Sequence, residues 1–248
     1  MPRVIDHIVI ASRRLDEAAA RYRQLGFQVG PRNRHPWGTE NHIVQFGGAF
    51  LELVGLGEGF LKPAPEDPVF PFAGFLADFL ARREGLAMVA MRSNDADADA
   101  RDFAAAGFGA GRFDFSRKAR RQGRETEVAF SLAFARAAAL PETGFFVSHH
   151  RFPENFWDPA AQVHSNNATA VAELAIAHAD PADVSGFLAA FLDATPEPTP
   201  AGVDFALAGT RVTCATPKSL TPRLGAPPPA GLAAVRVARR DGSSFWLA

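Results

Sequence analysis

An internal repeat restricts this chain more than any other feature of its sequence. The segment IDHIVIASRRLDEAAARYRQLGF (5–27) aligns without a gap on LAMVAMRSNDADADARDFAAAGF (86–108). Self-similarity of this kind means that one supersecondary unit is used more than once. Each copy opens on a short apolar strand, and a serine comes next, Ser12 or Ser93, placed to cap a helix. Each helix closes on Gly-Phe, at Gly26-Phe27 and Gly107-Phe108, where glycine supplies the left-handed turn that ends a helix. Leu15, Ala19, Tyr22 and Leu25 share one stripe of the first helix, so that face packs on a sheet. Phe103 and Ala106 hold the same face in the second.

The segments after each helix are strand-like. NHIVQF and FLELVGL, joined by Gly47-Gly48, come after the first, and the glycine pair suits a tight hairpin turn. TEVAFSLAFA and TGFFVSH, joined through Pro141, come after the second. A third, degenerate copy lies on AELAIAHADPADVSGFLAAFL (172–192), succeeded by VDFALAG and TRVTCAT; LAAVRVA and SSFWLA read as one more hairpin. A Gly/Pro-rich connector after the first copy leads into Phe72, Phe75, Leu76, Phe79 and Leu80, the stripe of a helix buried against the sheet. The expected class is α+β. Paired modules occupy residues 1–150, the first over 3–56, the connector and helix over 57–85, the second over 86–150. A connector spans 151–167 and the third module 168–248.

A chain of 248 residues, 47% of them apolar, buries a substantial core and needs no disulfide staples. Its net charge of −1, with no basic excess and no interleaved aromatic pattern, argues against nucleic acid or an anionic membrane as an obligatory partner. No apolar stretch approaches the ~20 residues that span a bilayer. The first residues lack a signal-peptide cleavage pattern, and a single cysteine, Cys214, suits a reducing compartment, so a cytoplasmic location is expected. Phosphate loop, dinucleotide fingerprint, nucleophile elbow and Cys-x-x-Cys are all absent, and no nucleotide cofactor is expected. The run RKARRQGR (117–124) reads as a solvated hairpin loop rather than a substrate clamp.

DHIVIA, LGF, WGTENHIVQF, FLELV and HRFPENFWDPAAQVHSNNA together resemble the bacterial glyoxalase-like domain proteins of the vicinal-oxygen-chelate superfamily. The resemblance is strong to about residue 167 and weak beyond it. It implies repeated βαβββ modules that pair into a cupped, incomplete β-barrel with helices outside. It also implies a divalent metal, iron, manganese, nickel or zinc, held on the concave face by the first and last strands of each module.

Carried over by position, the resemblance puts His7 at the early ligand site of the first module and Glu52 at the late one. Alternation along a strand sets Phe50, Glu52 and Val54 on one face, where an unpaired carboxylate would be costly. Alone, His7 reads as a satisfied core histidine and Glu52 as a rim residue; together they read as ligands. In the second module Met88 stands opposite His7, and a thioether is a poor ligand for these ions. His149 and His150 end its late strand, and as neighbours they point to opposite faces, so one of them faces inward as a further ligand.

Glu52 and His42 are the catalytic candidates, and Trp37, Asn41 and Trp157 the substrate-binding ones; Trp157 reads more readily as a pin for the connector than as a substrate contact. His164 reads as a pocket residue or a solvated one, and Glu173 falls opposite His7 in the third copy. Two functions fit. One is a metal-dependent lyase, isomerase or dioxygenase acting on a small oxygen-rich substrate. The other is a metal-free protein of the same fold that sequesters a small molecule, favoured by Met88 and the excess of phenylalanine over tyrosine. Open sheet edges suit a homodimer.

Overall fold

The computed structural model describes residues 2–121 and 124–248. The first repeat forms β1 (Ile5–Ala11), α1 (Leu15–Gln24), β2 (Asn33–Arg34), β3 (Thr39–Gln45) and β4 (Phe50–Leu56). A π-helical turn at Phe70–Gly74 runs into α2 (Phe75–Arg82), whose Leu76, Phe79 and Leu80 are buried as their spacing predicts. The second repeat forms β5 (Gly85–Arg92), α3 (Ala96–Ala105), β6 (Gly109–Arg121), β7 (Arg124–Ala135) and β8 (Gly144–His150). Gly26 and Gly107 close their helices at φ +87° and +80°, values that favour glycine. The capping residue of α3 is Asp95, whose carboxylate accepts from the amides of Asp97 and Ala98, whereas Ser93 accepts from the Asp95 amide one turn earlier. Ser12 likewise accepts from the Arg14 amide without capping α1.

These strands make one eight-stranded sheet in the order β2-β3-β4-β1-β5-β8-β7-β6. In each repeat the first strand runs parallel to the last, β1 with β4 and β5 with β8, and the two repeats join through antiparallel β1 and β5. The sheet is a mixed one that curls into a half-barrel. In β1, Ile5 pairs with Met91 and His7 with Ala90, so Asp6 is an extra residue in a bulge.

The arginine-rich run corrects one expectation. Instead of a solvated loop from residue 117, β6 and β7 extend as a long hairpin paired from Gly109↔Ala135 to Arg121↔Arg124. Only Gln122 and Gly123 of that run lie outside the described residues.

The connector holds α4 (Pro153–Phe156) and a 3-10 turn at Pro159–Gln162, and it is tightly tied. The Gln45 side chain donates to the Phe156 carbonyl (2.8 Å) and accepts from the Asp158 amide (3.0 Å). His164 is buried, neither solvated nor in the cup. Its Nε2 donates to the Gln45 carbonyl (2.8 Å), its Nδ1 accepts from the Gln28 amide (3.0 Å), and burial lowers its pKa.

Beyond the connector come β9 (Ala168–Ala177), α5 (Pro181–Leu192), β10 (Pro196–Thr199), β11 (Gly202–Ala206), β12 (Arg211–Ala215), α6 (Pro217–Leu224), β13 (Gly231–Arg239) and β14 (Ser244–Leu247). They form a second sheet, β10-β11-β12-β9-β13-β14, in which β12 runs parallel to β9 and β13 antiparallel to it, the pattern of β4, β1 and β5. Leu220 of α6 packs on the alanines of one face, Ala175, Ala177, Ala215, Ala233 and Ala234. Glu173, buried beside this helix, accepts from Arg223 and Arg236 (3.0 Å each) and from Thr213, an ion-paired network that ties α6 to the sheet. One apolar core joins the two sheets, with Ile8, Val89, Phe145 and Val147 of the first meeting Leu174 and Val235 of the second and Phe191 of α5. No described helix is long and apolar enough to cross a membrane.

Candidate active site

The half-barrel lines a narrow, partly open cavity. Alternation puts His7 of β1, Asn41 and Ile43 of β3, and Phe50 and Glu52 of β4 on its wall. Phe115 and Arg117 come from β6, Phe130 and Leu132 from β7, Phe146 and Ser148 from β8. Trp37, Phe72 and Phe156 reach in from the loops, with His35 beside them. The lining is therefore largely aromatic, with His7, His35 and Asn41 gathered at Glu52.

Glu52 is buried between two imidazoles. His7 Nε2 lies 3.7 Å from Oε2 and His35 Nε2 lies 3.5 Å from Oε1. Asn41 Nδ2 donates to Oε1 and lies 3.3 Å from His35 Nε2, which accepts its other hydrogen. His35 Nδ1 accordingly donates to Thr39 Oγ1 (2.8 Å), and Asn33 Nδ2 donates to Asn41 Oδ1 (3.1 Å), fixing the amide's orientation. Burial lowers the His35 pKa to about 3, helped by the charges of Arg117 and His7, so this imidazole is neutral at pH 7. Burial raises the Glu52 pKa; the His7 charge, the Asn41 hydrogen bond and the Arg117 charge pull against it without cancelling it.

Behind His7 sits Asp6, fully buried by the bulge. Its Oδ2 accepts from His7 Nδ1 (2.8 Å) and from His150 Nε2 (3.0 Å). Burial alone would push this carboxyl up, but the hydrogen bonds from His150 and His7 and their charges hold it well below the ordinary range. With Nδ1–H committed to Asp6, His7 presents Nε2 to Glu52, and its ring stacks on Phe50 (4.3 Å between centroids).

The structure thus brings together His7, Glu52, Asn41 and Trp37. It separates the others. His42 faces away from Asn41 on β3 and its Nδ1 donates to the Gly30 carbonyl (2.8 Å), with Nε2 3.9 Å from Asp16. His149 lies on the opposite face of β8 from Ser148 and His150, near Asp95. His150 is on the cup side but is engaged with Asp6. Trp157 stacks on His150 (5.9 Å, 10°), and the Arg92 guanidinium lies over it, which pins the connector. His35, Asp6, Ser148 and Arg117 complete the site; Asp6 opens DHIVIA and Arg117 opens the run that reads as a solvated loop, but neither segment marks them as site residues.

The donor set does not fit the implied metal. Register sets His7 beside Phe50 and Met88 beside Gly144, so the residue that corresponds to Glu52 in the second module is Phe146. Both ligand positions of that module are therefore apolar or thioether. On Glu52, Oε1 already accepts from Asn41. Among the described residues, no three His, Cys, Asp or Glu side chains are placed to hold one ion.

Two βαβββ modules joined through antiparallel first strands, with a lined cup on one side, define a protein of the vicinal-oxygen-chelate fold. Within it, the chain belongs to the glyoxalase-like domain family, whose profile matches residues 5–192. A hypothetical protein from Staphylococcus aureus superposes with a TM-score of 0.70 at 12% identity, covering 98% of each chain. A variant of 4-hydroxymandelate synthase from Streptomyces coelicolor reaches 0.50 at 14% identity, over 86% of this chain and 62% of that one. A xylose isomerase-like TIM barrel/4-hydroxyphenylpyruvate dioxygenase fusion protein reaches 0.50 at 16%, over 96% of this chain and 36% of that one. At such identities the likeness is one of fold. A search of curated proteins found no match.

Proposed function

We propose that this protein is an enzyme that moves a proton on a small carbonyl-bearing substrate, with Glu52 as the base. One observation carries the reading: a buried carboxylate of raised pKa, bracketed by two imidazole nitrogens, inside an aromatic cavity. Such a carboxylate is a stronger base than a solvated one, and it works closest to neutral pH.

In the proposed step a substrate C–H proton passes to Glu52, and the C–H electron pair moves into the carbonyl to form an enolate. Ser148 Oγ, on the cavity wall and without a hydrogen-bond partner among the described residues, supplies a donor for the enolate oxygen. Protonated Glu52 then returns the proton to carbon or passes it to His7 Nε2, whose ring Asp6 holds in orientation. Neutral His35 and Asn41 keep the carboxylate turned into the cavity.

Solvent-deuterium exchange into small ketones, 2-oxo acids and thioesters, monitored by NMR across pH, tests this. The base must be ionised, so the rate falls as pH falls, and the acid limb of kcat/KM is expected above the ordinary glutamate value of 4.5. Exchange with no member of the panel at any pH, together with tight binding of one of them, would favour a sequestering protein instead.

A further inference from the structure

We infer that the molecule taken by this cavity is an organic anion, an apolar ring or chain carrying a carboxylate that Arg117 binds. The inference rests on the reading of the half-barrel cavity as the substrate site. Arg117 reaches the cavity because Phe113, Phe115 and Arg117 alternate onto one face of β6. Its neighbour Lys118, on the other face, is paired with Glu125 at 2.8 Å. For Arg117, no carboxylate among the described residues forms an ion pair, and the hydrogen bond its guanidinium makes among them is a long one to the Lys118 carbonyl (3.4 Å). Burial lowers the pKa of this guanidinium, and the acid that opposes the shift is Glu52, across the cavity.

A half-buried cation beside phenylalanine rings has lost part of its hydration without gaining a counterion. A ligand carboxylate answers that need best, because the planar guanidinium donates two parallel hydrogen bonds to it. Two further donors of lining residues, Ser148 Oγ and Trp37 Nε1, also lack partners among the described residues. The remaining wall, including Phe50, Phe72, Phe130 and Phe146, carries no hydroxyl at all, and the chain's single tyrosine, Tyr22, lies on α1. One end of the ligand is therefore anionic, and the part of it that lies against the phenylalanines, away from the polar groups at Glu52, is apolar.

Isothermal titration with a panel of aryl and cycloalkyl carboxylates, each paired with its primary amide, tests the assignment. Wild-type protein is expected to bind at least one carboxylate about tenfold or more tightly than its amide. Arg117→Gln should abolish that preference, and Glu52→Gln should keep it, since it removes a like charge and leaves the guanidinium. If no carboxylate in the panel is favoured over its amide, or if the preference survives in Arg117→Gln, the inference is wrong. Undiminished deuterium exchange in Glu52→Gln with the preference intact would instead count against Glu52 as base and leave the anion site standing.

Discussion

Glu52→Gln is expected to lower the rate of substrate C–H exchange about 10²- to 10⁴-fold while the protein stays folded. The amide has the shape of the acid. Its carbonyl can accept from Asn41, and its NH₂ can donate to His7 Nε2, so the network that holds the position survives. The variant loses the group that takes a proton from carbon. The stability effect has a definite sign. A carboxyl whose folded pKa is raised stabilises the folded state when protonated, and this contribution is lost as pH rises from the ordinary value through the raised one. At pH 7 the glutamine variant should therefore melt at or above the wild-type temperature. Undiminished exchange in the folded variant would remove Glu52 from the chemistry.

Asp6→Ala is expected to cost about 3–5 kcal/mol of stability at pH 7, measured by urea unfolding. The carboxylate has no exposed surface and accepts from both His7 and His150, with Arg92 Nε at 3.6 Å from its other oxygen. Alanine leaves two imidazole N–H groups buried without an acceptor. The folded pKa of Asp6 lies below its ordinary value of 3.8, so its contribution is present above that value and declines as pH falls below it. The gap between wild type and variant should narrow at pH 3. A loss below about 1 kcal/mol at pH 7 would show that the bulge is not built around this contact.

The repeat made both halves of the sheet and their helices legible, because a gapless match carries strand, helix and turn together. The resemblance to the glyoxalase-like proteins singles out His7 and Glu52, one on each strand of a parallel pair. Other parts of the site obey rules that the residues did not advertise. Asn41 and His42 are neighbours on a strand, so only one of them can line the cup, and it is Asn41. Phe113, Phe115 and Arg117 alternate as a strand should, but the density of arginine after them reads as a loop, which hid both β6 and its cation. Asp6 enters the site through a bulge, and no local pattern of types announces one. His35 sits just past a strand of only two residues and is fixed by Thr39 across a turn. The α6 helix was concealed by Pro222 within it and by its dependence on the alanine face it covers.

The metal expectation turned on symmetry. Met88 already weakened it, and register removes the second module's other ligand by setting Phe146 in its place. His150, at the end of the late strand, steadies Asp6 instead of facing an ion. A cup that keeps the polar half of the first module and fills the second with apolar groups is suited to a proton-transfer base facing an apolar ligand.

The most direct test of Glu52 as a metal-independent base is one exchange measurement made with and without chelation. Untagged protein is treated with a strong chelator, freed of it by dialysis, and assayed for deuterium exchange before and after addition of iron(II), manganese(II), nickel(II) or zinc(II). Chemistry supplied by Glu52 and His7 predicts the same rate in every arm. A rate that vanishes on chelation and returns with one of these ions would contradict it.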